Sequence, residues 1–201
     1  KLIATVFLSI AICVGSVGMS AAADSQTDFV ALDKGDFATI LPKFKPLAER
    51  GDAEALYNRG VMYDRSRGGI ISDKEAVRWY RLAAEQGFAK AQYALGEMYE
   101  VGRGVTTSYR EAAKWFHLAA EQGLADAQIA LGYVYANGNG VIEDDEKAVK
   151  WNRLAADQGN SQAQLTLGFM YAHGQGVPQD YVEAVKWYRL AADQGDADAQ
   201  Y

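Results

Sequence analysis

Apolar and polar residues follow one another along this chain with the period of an α-helix, and the pattern restarts at a fixed interval. The stretch AVRWYRLAAEQG (76–87) returns as AAKWFHLAAEQG (112–123), AVKWNRLAADQG (148–159) and AVKWYRLAADQG (184–195), each start 36 residues after the last. Ala76, Trp79 and Ala83 fall at i, i+3 and i+7, so they share one helix face. A second periodic stretch precedes each copy: AEALYNRGVMYD, AKAQYALGEMYE, ADAQIALGYVYA and SQAQLTLGFMYA. The linking segments RSRGGIIS, VGRGVTTS, NGNGVIED and HGQGVPQD carry the loop residues. The pattern predicts four helix–loop–helix units over 53–88, 89–124, 125–160 and 161–196.

Start and stop signals sharpen the second helix of each unit. Ser72, Ser108, Asp144 and Asp180 stand at N-cap positions, and Glu75, Glu111 and Glu183 follow three residues later as capping-box partners. Lys147 breaks that pattern in the third unit. Gly87, Gly123, Gly159 and Gly195 end the helix where a left-handed residue is wanted. The first helix instead carries a glycine in its middle (Gly60, Gly96, Gly132, Gly168), at a cost of about 1 kcal/mol each relative to alanine. Close approach of another helix explains the repetition, with Ala91 and Gly96 making room for a bulky partner such as Trp115. One such hairpin cannot bury its apolar face alone, whereas stacked copies bury one another. All four tryptophans (Trp79, Trp115, Trp151, Trp187) recur at one position of the unit. Truncating a buried one to alanine is expected to cost about 3–5 kcal/mol.

The combined pattern is A-x-A-x-x-x-L-G-x-x-Y, then G-x-G-V, then A-x-x-W-Y-x-x-A-A-x-x-G. It resembles the Sel1-like repeat. The resemblance implies an all-α fold, a right-handed α/α solenoid related to tetratricopeptide arrays, and an adaptor role that does not itself identify a partner.

The flanks differ. Lys1 is followed by an uncharged apolar run from Leu2 to Met19, then by Ala21-Ala22-Ala23 before Asp24. This has the form of a secretory signal peptide over 1–23 cleaved after Ala23, which predicts a periplasmic or secreted product with no membrane span after cleavage. An uncleaved membrane anchor is the alternative. Cys13, the single cysteine, is preceded by Ile12 rather than a small residue, which argues against a lipoprotein site, and cleavage leaves a chain without thiol chemistry. Residues 24–52 read as an N-terminal helical capping segment, despite Pro42 and Pro46, and ADAQY (197–201) reads as the start of a truncated fifth repeat.

Charge and motifs narrow the chemistry. With 20 basic and 26 acidic residues the formal charge is −6, the wrong sign for a nucleic-acid partner. No Ser-x-x-Lys occurs, so a penicillin-recognising serine mechanism lacks its nucleophile motif. A cell-envelope hydrolase, β-lactamase-like or acting on peptidoglycan, is therefore only the alternative to a binding role. His117 takes a helix position held elsewhere by Arg81, Arg153 and Arg189, and reads as an exposed helix residue. His173 closes a first helix beside a Gly-x-Gly loop, so the two histidines make a poor metal pair. Glu143-Asp144-Asp145-Glu146 does not fit a twelve-residue calcium loop and reads as acids favouring a helix N-terminus. No metal and no cofactor is expected.

Positions that vary between units are the candidates for recognition. The second, sixth, ninth and thirteenth positions of each unit are spaced to share one face of the first helix. The predicted partner-binding stripe comprises Asn58, Val61, Arg65, Lys90, Glu97, Asp126, Tyr133, Asn137, Gln162, Phe169 and His173. By resemblance to tetratricopeptide arrays it lines the concave side, where a protein or peptide would seat. Tyr133 and Phe169 are the expected anchors, with packing between units as their other reading.

Overall fold

The structure, a computed structural model, describes residues 46–64 and 72–195. The predicted signal peptide, most of the capping segment, Arg65 and the fifth-repeat start at 197–201 lie outside them. The described residues are helical, with no strand. After a helical turn at 46–49 come α1 (Ala53–Asp64), α2 (Asp73–Glu85), α3 (Ala89–Val101), α4 (Tyr109–Glu121), α5 (Ala125–Asn137), α6 (Asp145–Asp157), α7 (Ser161–His173) and α8 (Tyr181–Asp193). Each helix packs on the one before and the one after it. This is the α/α solenoid the spacing implies.

The second helices begin where their caps stand. The side chains of Ser72, Ser108, Asp144 and Asp180 accept from the backbone N–H groups of Glu75, Glu111, Lys147 and Glu183. The reciprocal half of the capping box is replaced. Each cap residue donates its own N–H to the carbonyl of the tyrosine that recurs in every first helix: Ser108 to Tyr99, Asp144 to Tyr135 and Asp180 to Tyr171, all at 2.9 Å. Released from capping, Glu111 and Glu183 pair with Lys114 (3.9 Å) and Lys186 (2.8 Å) one turn on. The tyrosine carbonyl thus fixes how the two helices of a hairpin meet.

Glycine sets how closely they meet. A Cβ on Gly96 would lie 2.5 Å from the Phe116 ring, and one on Gly60 or Gly168 equally inside the rings of Tyr80 and Tyr188. The expected close approach is present, but its partner is the residue after each tryptophan, Phe116 rather than Trp115. The tryptophans take a different place. Trp187 is buried, while Trp79, Trp115 and Trp151 are half-buried flanks of the core.

The core is a chain of apolar clusters, each shared between neighbouring units. Leu56, Tyr80, Leu95 and Met98 form the first, Phe116, Leu131 and Val134 the second, and Val149, Leu167, Met170 and Trp187 the third. A buried polar relay joins the same units. Gln92 donates to the Ala84 carbonyl of the preceding unit (3.1 Å) and accepts from Gln122 of its own (2.7 Å). Gln128 repeats this with Ala120 and Gln158, and Gln164 with Ala156 and Gln194. Each relay adds a second donor to a helix-end carbonyl that already accepts the N–H of the turn glycine, Gly87, Gly123 or Gly159, at 2.9 Å.

Candidate partner-binding face

The predicted stripe divides along the solenoid. Asn58 is fully buried and Val61 is 4% exposed, so neither faces a partner. Val61 belongs to the core cluster of the first two units, and the amide of Asn58 is enclosed with neither of its polar atoms hydrogen-bonded. Helix periodicity groups them with the rest of the stripe but could not show that this face is closed at its first unit. From the second unit onward the stripe opens. Lys90, Asp126, Asn137, Gln162 and His173 are exposed, and Glu97 is half-buried.

The two expected anchors are solvent-facing. Tyr133 is 56% exposed and Phe169 is 47% exposed, so neither is a core residue. Asn137 Nδ2 donates to the Tyr133 backbone carbonyl (2.8 Å), and His173 Nδ1 lies 2.8 Å from the Phe169 carbonyl. The His173 ring also packs on Phe169 with centroids 4.0 Å apart. The Phe169 ring, held this way, loses little side-chain freedom on binding, which favours it as an anchor.

Toward the second unit the stripe turns acidic. Glu97 takes a hydrogen bond from Tyr93, and the charges of Glu97, Asp126 and Glu100 all act on that phenol. Burial, then Glu97, pushes the Tyr93 hydroxyl well above its ordinary value. Burial also raises the Glu97 carboxyl, with the Tyr93 hydrogen bond pulling the other way. Tyr93 and Glu97 stand four residues apart, one turn of helix, so their pairing was visible in the spacing. Tyr93 was missed because the equivalent position holds Ile129 and Leu165 in later units and reads as core. Glu54 and Lys90 both line a recess of about 500 Å³ beside the turn at Gly87. His117 is not the plainly exposed residue expected. It packs edge-on against Trp151, with ring centroids 5.6 Å apart.

Among the described residues no cluster of three or more metal-ligating side chains occurs, and no helix is long and apolar enough to cross a membrane.

Comparison with known proteins places the scaffold. The Sel1 repeat family matches residues 53–88, 89–124, 125–160 and 161–196. A Sel1 repeat protein from Oxalobacter formigenes is 36% identical with a TM-score of 0.80, over 87% of this chain and 71% of its own. A protective antigen present in uropathogenic Escherichia coli strains, displaying an SLR fold, is 42% identical with a TM-score of 0.77, over 79% of this chain. The chain spans 34% of that antigen's length. Helicobacter pylori cysteine rich protein B is 26% identical with a TM-score of 0.50, over 63% of this chain and 93% of its own. No curated protein matches the sequence significantly. Four consecutive repeat matches over most of its length, together with the glycine-notched helix pairs that build it, show that this chain belongs to the Sel1 repeat family.

Proposed function

We propose that the chain is an exported adaptor that recognises a protein or peptide segment along the first-helix stripe of its second to fourth units. Sel1 repeats generally mediate protein–protein interaction. The observation that carries the reading here is the pair of solvent-facing aromatics Tyr133 and Phe169, at one repeat position in adjacent units. Lys90, Glu97, Asp126, Asn137, Gln162 and His173 complete the stripe. The acidic end at Glu97 and Asp126 and the aromatic end at Phe169 favour a segment that carries a cation beside two apolar side chains.

The test compares capture from a cell-envelope extract by the wild-type chain and by the Tyr133→Ala/Phe169→Ala double variant. A partner retained by the first and lost by the second, with equal helicity by circular dichroism, supports the reading. Equal capture by both, or loss of helicity in the variant, overturns it.

A further inference from the structure

The outward face of the second helices carries a repeated pattern that helix stability does not explain. Leu82, Leu118, Leu154 and Leu190 fill one position of the unit, and all are between 36% and 48% exposed. The leucines that serve the core, Leu95, Leu131 and Leu167, are fully buried. Three residues after each outward leucine the helix ends on an acid: Glu85, Glu121, Asp157 or Asp193. That is the unfavourable end for an anion, because the free carbonyls there carry the negative pole of the helix. None of these last turns holds a basic residue. Glu85, Asp157 and Asp193 make no ion pair among the described residues, and Glu121 lies 3.6 Å from His117.

Four residues before each leucine stands a base: Arg78, Lys114, Lys150 or Lys186. Arg78, Lys114 and Lys186 reach back to an acid three residues earlier, at 3.5, 3.9 and 2.8 Å. Such surface pairs are weak and readily exchanged. Base, leucine and acid fall within about 60° of one another around the helix, opposite the buried Ala76, Tyr80 and Ala83. Along the axis the base comes first, the leucine about 6 Å further on and the acid about 10 Å on. Neighbouring second helices touch, through His117 of α4 on Trp151 of α6 and Arg153 of α6 over Trp187 of α8. The side chains therefore continue from unit to unit as a basic row, a leucine row and an acidic row.

Such a surface is its own complement. Turned by a two-fold axis along the leucine row, it sets bases over acids and leucines against leucines. An axis across the rows would set base over base. We infer that this face docks a second copy of the chain, with α4 and α6 of one copy antiparallel to α4 and α6 of the other. Leu118 and Leu154 meet their own counterparts, and Lys114 and Lys150 of each copy meet Glu121 and Asp157 of the other. The face shares no residue with the first-helix stripe, so it stands or falls independently of the adaptor reading, and the dimer leaves two such stripes open.

The experiment follows the full chain by sedimentation equilibrium over a concentration series. A contact this small is weak, so dimer should appear at about 0.1–1 mM and recede as salt is raised. In the middle units, Lys114→Glu with Lys150→Glu makes both charged rows acidic, and Glu121→Lys with Asp157→Lys makes both basic. Each pair should lower the association constant about tenfold or more. The second pair relieves the helix ends and should leave Tm unchanged or raised, so its lost association is not lost fold. Mixing the two variants should restore a dimer holding one copy of each. A wild-type chain that stays monomeric to about 1 mM would give the face to a different protein and overturn the proposal. Variants that associate as the wild type does, or a mixture that stays monomeric, would overturn it as well.

Discussion

At the residue scale, Gly96 separates intrinsic propensity from packing. In a free helix, alanine would be the better residue by about 1 kcal/mol. Here a Cβ would stand 2.5 Å from the ring of Phe116, a fully buried side chain with no room to retreat. Overpacking of this kind costs about 1–3 kcal/mol, so Gly96→Ala is expected to lower Tm. A rise in Tm would show that the ring yields. Glu97 makes the opposite case. Burial lifts its carboxyl above the ordinary 4.5. A carboxyl whose folded pKa exceeds the unfolded one favours the fold when protonated. That contribution is complete below the unfolded pKa and is lost as pH rises through the folded one. At neutral pH the charged form therefore weighs against folding. Glu97→Gln should be the more stable protein at neutral pH in urea denaturation, and its advantage should vanish as the pH falls below 4.5. A charge retained on an otherwise variable face at a cost in stability is consistent with a cationic group on the bound segment.

At the element scale, the helix pair was largely legible in the sequence because its punctuation is local. Ser108 caps α4, and the glycine of the following turn adopts φ 87° at Gly123, as N-cap and C′ chemistry require. Ser108→Ala is expected to cost about 1 kcal/mol, read as a lower urea midpoint with unchanged slope. What was not legible depends on the third dimension. Helical periodicity says that Phe116 and Trp115 lie 100° apart around α4, but not which of them fills the notch at Gly96. The size of tryptophan pointed to the wrong one. Likewise, Asn58 and Tyr133 share one stripe by spacing alone. Their burial differs because Asn58 is enclosed at the first unit while Tyr133 stands over an open surface. Glu111 read as the partner of Ser108, yet the carbonyl of Tyr99 takes that role through a contact spanning the loop. The second glycine of the loop carried a similar hidden constraint. Gly140 has φ 77°, and a Cβ there would lie 2.3 Å from the backbone of Tyr109 in the preceding unit. Turn chemistry accounts for the positive φ, but only the stacked structure reveals the backbone beside it.

At the scale of the whole molecule, the extensive contacts among the described residues run between successive helices, with lighter ones such as His117 on Trp151 between units, so stability is expected to be a sum of unit and junction terms. Gln128→Ala tests this. It removes the hydrogen bonds of Gln128 to the Ala120 carbonyl and from Gln158, which keep their other partners in Gly123 and Leu154, a loss of about 1 kcal/mol per bond. Hydrogen exchange should accelerate around α4 and α5 and remain near wild type in α1 and α8. Uniform acceleration along the chain would instead mean one cooperative block.

The glutamine relay also bears on how such a chain changes length. Every join reads the same: a glutamine near the start of one unit reaches an alanine carbonyl near the end of the last, whatever lies on the outer faces. Excising residues 125–160 as a block would bring Gln164 to Ala120, where Gln128 now sits, with the donor and acceptor unchanged. Gains and losses in whole multiples of the module thus keep this joint intact, whereas a cut of any other size loses the glutamine bond across it. Lineages of this protein are free to lengthen or shorten their recognition surface by recombination without first inventing a new joint.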